Sequence, residues 1–182
     1  MRATACDDGG VAGRQGKQKV RDMLLSLGVI ALVAGVIYVF IPHDDSKSPV
    51  KRVDYSVELT TARRAAPYPV AAPEGLPTSW KATSVRFQGD RFNSWHLGFL
   101  GPGGQYVAVE QSTQESAPFI ASASQGARKT AATQRIGDHV WQRYQGGRYD
   151  ALVRQDKSAT TVVTGTAPFS ELAKMAQALK TS

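Results

Sequence analysis

The chain has 182 residues, 42% of them apolar, a formal charge of +7 and a single cysteine. That length holds one ordinary domain with some chain to spare. One cysteine excludes an internal disulfide, so any domain must be held by a hydrophobic core. The positive charge divides as +2 before Met23 and +5 after Ile41. The basic surplus suits an anionic surface or polymer, and with no recognition motif in the chain nucleic acid is not expected as a partner.

Residues 1–22, rich in Gly, Gln and charge, cannot bury a core and are expected to form a disordered cytoplasmic tail. Residues 23–41, MLLSLGVIALVAGVIYVFI, carry no charge, and twelve of the nineteen are Leu, Ile, Val or Phe. As a helix the run spans roughly 28 Å, close to the ~30 Å hydrocarbon core of a bilayer. Its side chains favour insertion by roughly 4 to 7 kcal/mol. A transmembrane helix is the expectation. The rival readings are a cleaved signal peptide, whose apolar stretch is shorter and ends in small residues, and a buried core helix. Here the run closes on Val39-Phe40-Ile41-Pro42, and Cys6 precedes it, so no lipoprotein signal is present. Arg14, Lys17, Lys19 and Arg21 flank the N-terminal side and Asp44 and Asp45 the other, which places the N-terminus in the cytoplasm and residues 43–182 outside. Ala31 and Gly35 would permit close helix approach.

Residues 42–79 read as a Pro-rich stalk that becomes ordered near its end, since Pro49, Pro67, Pro69, Pro73 and Pro77 forbid one continuous helix. Val53, Tyr55, Val57 and Leu59 alternate with polar residues and suggest a short strand or docked segment. Residues 80–182 then form the exported domain. Strands are expected at Val85–Phe87, at Trp95–Phe99 and at Tyr106–Gln111, the last two joined through Gly101-Pro102-Gly103-Gly104. Ser116-Ala-Pro-Phe119 opens a helix. Ala132–Ile136 and His139–Tyr144 flank a turn at Gly137-Asp138, followed by strands at Tyr149–Arg154 and Thr160–Thr164. Thr166-Ala-Pro-Phe169 begins a final helix with Phe169, Leu172, Met175 or Ala176, and Leu179 inward. The fold class is therefore α+β: an N-terminal transmembrane helix, then a mainly antiparallel sheet with two packed helices. Gly103-Gly-Gln-Tyr-Val-Ala-Val109 echoes Gly146-Gly-Arg-Tyr-Asp-Ala-Leu152, which either marks a degenerate duplication or repeats ordinary turn signals.

Chemistry-bearing motifs are sparse. His43, His96 and His139 are scattered, without ligand spacing, so neither metal nor cofactor is expected. No phosphate loop, nucleophile elbow or Ser-x-x-Lys pair occurs, and no catalytic residue is nominated. Asp138 and Asp150 are better explained by turns and strand edges than as paired carboxylates. The candidate binding surface is aromatic and basic: Trp95, Tyr106, Trp141, Arg143, Arg148 and Tyr149. Such residues are enriched in binding hot spots, and equally in cross-strand packing.

Taken together, Arg21-Asp22-Met23 before the apolar run, Gly75-Leu76-Pro77 before Trp80, the hairpin from Trp95 to Ser112 and Thr161-Val-Val-Thr-Gly-Thr-Ala167 resemble one family. It is the actinobacterial single-pass membrane family catalogued as domain of unknown function 4245. The resemblance implies a plasma-membrane protein with an exported domain and brings no catalytic residue, cofactor or substrate. The expected function is a non-enzymatic, membrane-anchored envelope module whose partners are the lipid bilayer and an envelope protein or anionic wall polymer. The alternative is a small-ligand-binding domain, which a cleft of a few hundred Å³ would favour, whereas a flat apolar patch would favour a protein partner.

Overall fold

The computed structural model describes residues 15–40 and 51–181, with the side chains of 20, 21 and 23–38 described in the first stretch. The chain divides into two compact units, 1–48 and 49–182. The first holds α1 (Gln15–Phe40), a 26-residue helix about 39 Å long. The expected tail of 1–22 is thus helical from Gln15, where the apolar run propagates the helix backwards through Gln, Lys and Arg, good helix formers. Residues 1–14 and 41–50 lie outside the described residues. Among the described residues no helix is long and apolar enough to cross a membrane. The described side chains of the apolar run extend from Met23 to Tyr38, and the remainder of the expected span, Val39 to Ile41, has none.

The second unit corrects the stalk and the short strand expected within it. From Lys51 the chain packs onto the domain, and Ser56–Ala65 is a helix, α2. Its start is fixed by Asp54, whose carboxylate accepts the Ser56 N–H at 3.0 Å. Pro67 stops it by forcing Ala66 into extended backbone. The alternation of Val53, Tyr55, Val57 and Leu59 misleads because Tyr55, Leu59 and Ala62 also recur at helical spacing. It is that set which faces the core, while Val57 is exposed.

The remaining elements are β1 (Ala72–Pro73), β2 (Lys81–Gln88), β3 (Ser94–Leu100), β4 (Tyr106–Ser112), α3 (Ser116–Ala123), β5 (Arg128–Ile136), β6 (His139–Gln145), β7 (Asp150–Gln155), β8 (Thr160–Gly165), α4 (Phe169–Ala178) and β9 (Leu179–Lys180). Seven strands form one antiparallel sheet in the order β2-β3-β4-β8-β7-β6-β5, and β1 pairs with β9 beside it. The α+β class holds, with four helices among the described residues where three were expected in all.

The two faces of the sheet have different fates. One carries Trp95, Leu97, Phe99, Val107, Val109, Trp141, Leu152 and Val163, buried under α2, the 68–72 strap and α4 through Leu172 and Met175. Hydrogen bonds tie the strap down. Trp95 Nε1 donates to Ala71 O at 3.0 Å, and the Ala71 N–H donates to Gln111 Oε1 at 2.7 Å. On the opposite face, α3 covers only part of the sheet, with Phe119 and Ile120 against Ala151, Val153 and Val162. The sheet face of β2, β3 and β4 has no such cap.

A bulge sets which side chains appear there. The β2–β3 register shifts between Ala82 and Ser84, leaving Thr83 as an extra residue. Ala82, Val85 and Phe87 therefore pack on the core side, opposite Phe99, Leu97 and Trp95. Ser84, Arg86 and Gln88 turn to the open side.

Candidate functional site

The open face forms a cleft of about 730 Å³ between β3–β4, α3 and the β2–β3 loop, within the range of small-molecule sites. Arg86 and Arg91 stand on its walls beside Phe92, Phe119, Tyr106 and Tyr149. Cationic heads and apolar surface thus meet in one concavity.

Two of its lining residues, His96 and Glu110, join Ser84 beside the cleft in a row of three polar side chains across three strands. His96 on β3 pairs directly across from Glu110 on β4, and its Nδ1 lies 2.6 Å from Glu110 Oε1. A carboxylate only accepts, so Nδ1 carries a proton, and Nε2 is an acceptor in the neutral ring and a donor in the imidazolium. Nε2 lies 2.9 Å from Ser84 Oγ on β2, and in the neutral ring it accepts that hydroxyl's hydrogen bond. All three side chains are half-buried. Gly98, opposite Ser84 in the register, leaves room for them: a Cβ there would overlap Ser84 Oγ and lie 3.0 Å from Tyr106 Oη. Burial, with Glu110's charge second, pushes the Tyr106 phenol up to about 12.

The structure divides the sequence-derived candidates between the two faces. Trp95 and Trp141 are fully buried on the core face and form no surface. Arg143 lies on that side as well, its guanidinium 4.4 Å from the Phe169 ring centroid and 2.7 Å from Gln134 Oε1. Tyr106 and Tyr149 meet in the cleft with ring centroids 5.9 Å apart, and the Arg148 guanidinium sits 5.7 Å from the Tyr149 ring. Asp138 lies in the β5–β6 turn and Asp150 begins β7 beside Gly165, so they do not meet as a pair. Ser84, His96 and Glu110 were missed as site residues, and Arg86 and Arg91 fall outside the candidate surface drawn from the sequence. No linear motif links them, and the available signal was the hairpin register, which sets His96 opposite Glu110 once Leu100 pairs with Tyr106.

A second cavity, about 600 Å³, lies between α2, Trp80, Phe99 and the Gly75–Thr78 turn. Arg52 lines it and donates to Thr78 O and Trp80 O at 2.7 and 3.0 Å. Among the described residues no group of three or more His, Cys, Asp or Glu could hold a metal ion.

The fold and the cleft define an α+β domain built on one antiparallel sheet, capped fully on one face and partly on the other. The family model described as Protein of unknown function (DUF4245) matches residues 15–179, and the chain belongs to that family. A search of curated proteins finds no match.

Proposed function

We propose that the protein is a membrane-anchored module of the cell envelope whose outward domain binds a small amphipathic anion in the cleft between β2–β4 and α3. The observation that carries the ligand is the adjacency of Arg86 and Arg91 to Phe92, Phe119, Tyr106 and Tyr149 around about 730 Å³. A ligand with an apolar body and an anionic end matches that lining. A protein partner is less well supported, because the exposed large apolar side chains described in the domain are Val57 on α2, Phe92 in the β2–β3 loop and Val140 on β6, which form no one patch along the chain. The anchor is supported by α1, whose described apolar side chains from Met23 to Tyr38 are all exposed, a surface that lipid accommodates and water does not. The basic N-terminal flank supports an outward-facing domain.

The ligand reading is tested with the full chain in phospholipid nanodiscs, titrated with 4-phenylbutyrate by calorimetry. Saturable binding is expected, weakened about tenfold or more by Arg86→Ala with Arg91→Ala and unchanged by Arg135→Ala, a β5 residue remote from the cleft. No saturable binding at millimolar probe, or equal binding in all variants, removes the cleft from consideration.

A further inference from the structure

We propose that Ser84, His96 and Glu110 form a nucleophile, base and orienting acid, and that the cleft cleaves carboxylic esters with an apolar acyl group and an anionic end. The inference rests on the cleft being the ligand site. It goes further because the geometry has a direction. Glu110 holds Nδ1 of His96 at 2.6 Å, and Nε2 faces the Ser84 hydroxyl at 2.9 Å. In its neutral form the ring is a proton acceptor already aimed at the oxygen it would activate, which is the spatial logic of an activated serine. A ladder of polar side chains needs only paired donors and acceptors in any order. Here the order is hydroxyl, imidazole, carboxylate, on three adjacent strands. The Thr83 bulge is what turns Ser84 to the same face as His96 while keeping Ala82 in the core, and bulges are over-represented beside active sites.

The step balances within these residues. Ser84 Oγ attacks the ester carbonyl carbon as its proton passes to His96 Nε2. The carbonyl oxygen becomes an oxyanion and accepts a hydrogen bond from the Tyr106 hydroxyl, which crowds the same space over Gly98. The bond to the alcohol oxygen breaks, and the leaving oxygen takes the proton from Nε2. Water then attacks the acyl-serine carbonyl, delivering its proton to His96 and releasing the acid, while Nε2 returns the proton to Ser84. Ser84 and His96 are the catalytic residues. Glu110 is a positioning residue that fixes the tautomer. Phe92 and Phe119 receive the acyl group, and Arg86 and Arg91 the anionic end.

The experiment exposes the full chain in nanodiscs to a biotinylated fluorophosphonate and locates the adduct by peptide mass spectrometry. A single adduct on Ser84 is expected, absent in Ser84→Ala and formed at least 100-fold more slowly in His96→Gln. Glu110→Gln should slow it by tenfold or more, with partial rescue by Glu110→Asp, a pattern that loss of packing would not produce. Hydrolysis of 4-nitrophenyl butyrate should fall in the same order. Thermal melts of each variant establish that it is folded, and a variant that fails to fold is replaced by Ser84→Cys, which should react with iodoacetamide faster than free cysteine. No Ser84 adduct on folded wild-type protein, or equal labelling in His96→Gln, overturns the relay. Phenylbutyrate binding without an adduct overturns the relay alone, and loss of both removes the cleft reading as well.

Discussion

Gln111 shows how much of the buried face depends on single polar groups. It is 2% exposed among apolar neighbours, yet its amide is satisfied on both sides. Oε1 accepts from Ala71 N, and Nε2 donates to Thr161 Oγ1 at 3.1 Å and to Pro69 O at 3.3 Å. Gln111→Leu keeps the volume roughly constant but strands the Ala71 N–H away from water. We expect a loss of about 1–3 kcal/mol in urea unfolding, with the strap's amides exchanging faster than those of β8. Tyr106 makes a different residue-scale prediction. Its folded-state phenol is pushed up to about 12 from the ordinary 10.0, and burial also raises Tyr68. Between those values the folded state holds protons that the unfolded chain has lost. The stabilisation is complete below pH 10 and is lost as pH rises towards 12. The urea midpoint should therefore fall across pH 10–12, and less steeply in Tyr106→Phe. At this scale the sequence was ambiguous by nature. Trp95 and Tyr106 belong to the same hairpin, and only the pleat parity separates the buried tryptophan from the cleft tyrosine.

Among the elements, β8 is the keystone. It lies between β4 and β7, and both run antiparallel to it. Val107 and Asp150 both sit opposite Gly165, and Ala108 and Ala151 both sit opposite Thr164. The Gly-Gly-x-Tyr echo is thus a pair of strands in equal register on either side of β8. A rotation superposing the two strand triplets would exchange the sheet's faces, yet Tyr106 and Tyr149 share one. That argues for repeated local turn chemistry over duplication. Gly165 closes the junction, since a Cβ there would overlap Tyr106 O and lie 2.8 Å from Tyr106 C, backbone atoms that cannot step aside. Gly165→Ala should lower stability by about 1–3 kcal/mol or more and broaden NMR signals across β4 and β8. The strand–turn alternation from β3 to β8 and the start of α4 were legible, because glycine-rich turns and period-two patterning are local signals. The strap and α2 were not. Their burial depends on the sheet face they cover, and Pro-rich composition reads alike for a stalk and a docked segment. Ser84's place beside His96 depends on the loop from Gly89, where Phe92 and Asn93 take φ of 53° and 48°, conformations no propensity foretells.

At the scale of the whole molecule, the chain divides into two units, 1–48 and 49–182. Residues 49–182 close around their own core, whereas large apolar side chains described in α1 are exposed, Leu25 at 65% and Leu32 at 67%. If lipid covers α1, the magnitudes set how much damage the anchor tolerates. The run favours insertion by roughly 4 to 7 kcal/mol, and each central Lys costs about 3–4 kcal/mol once the lost apolar side chain is counted. Leu32→Lys alone should leave the full chain mostly in the membrane pellet after alkaline carbonate extraction. Leu32→Lys with Val36→Lys should move it to the supernatant, with the domain's thermal unfolding unchanged. Wild-type protein washed free by carbonate would remove the anchor. Protease added to intact protoplasts then reads the orientation: cleavage of residues 51–181 with a protected N-terminus fits the basic flank, and the reverse pattern would place the cleft in the cytoplasm.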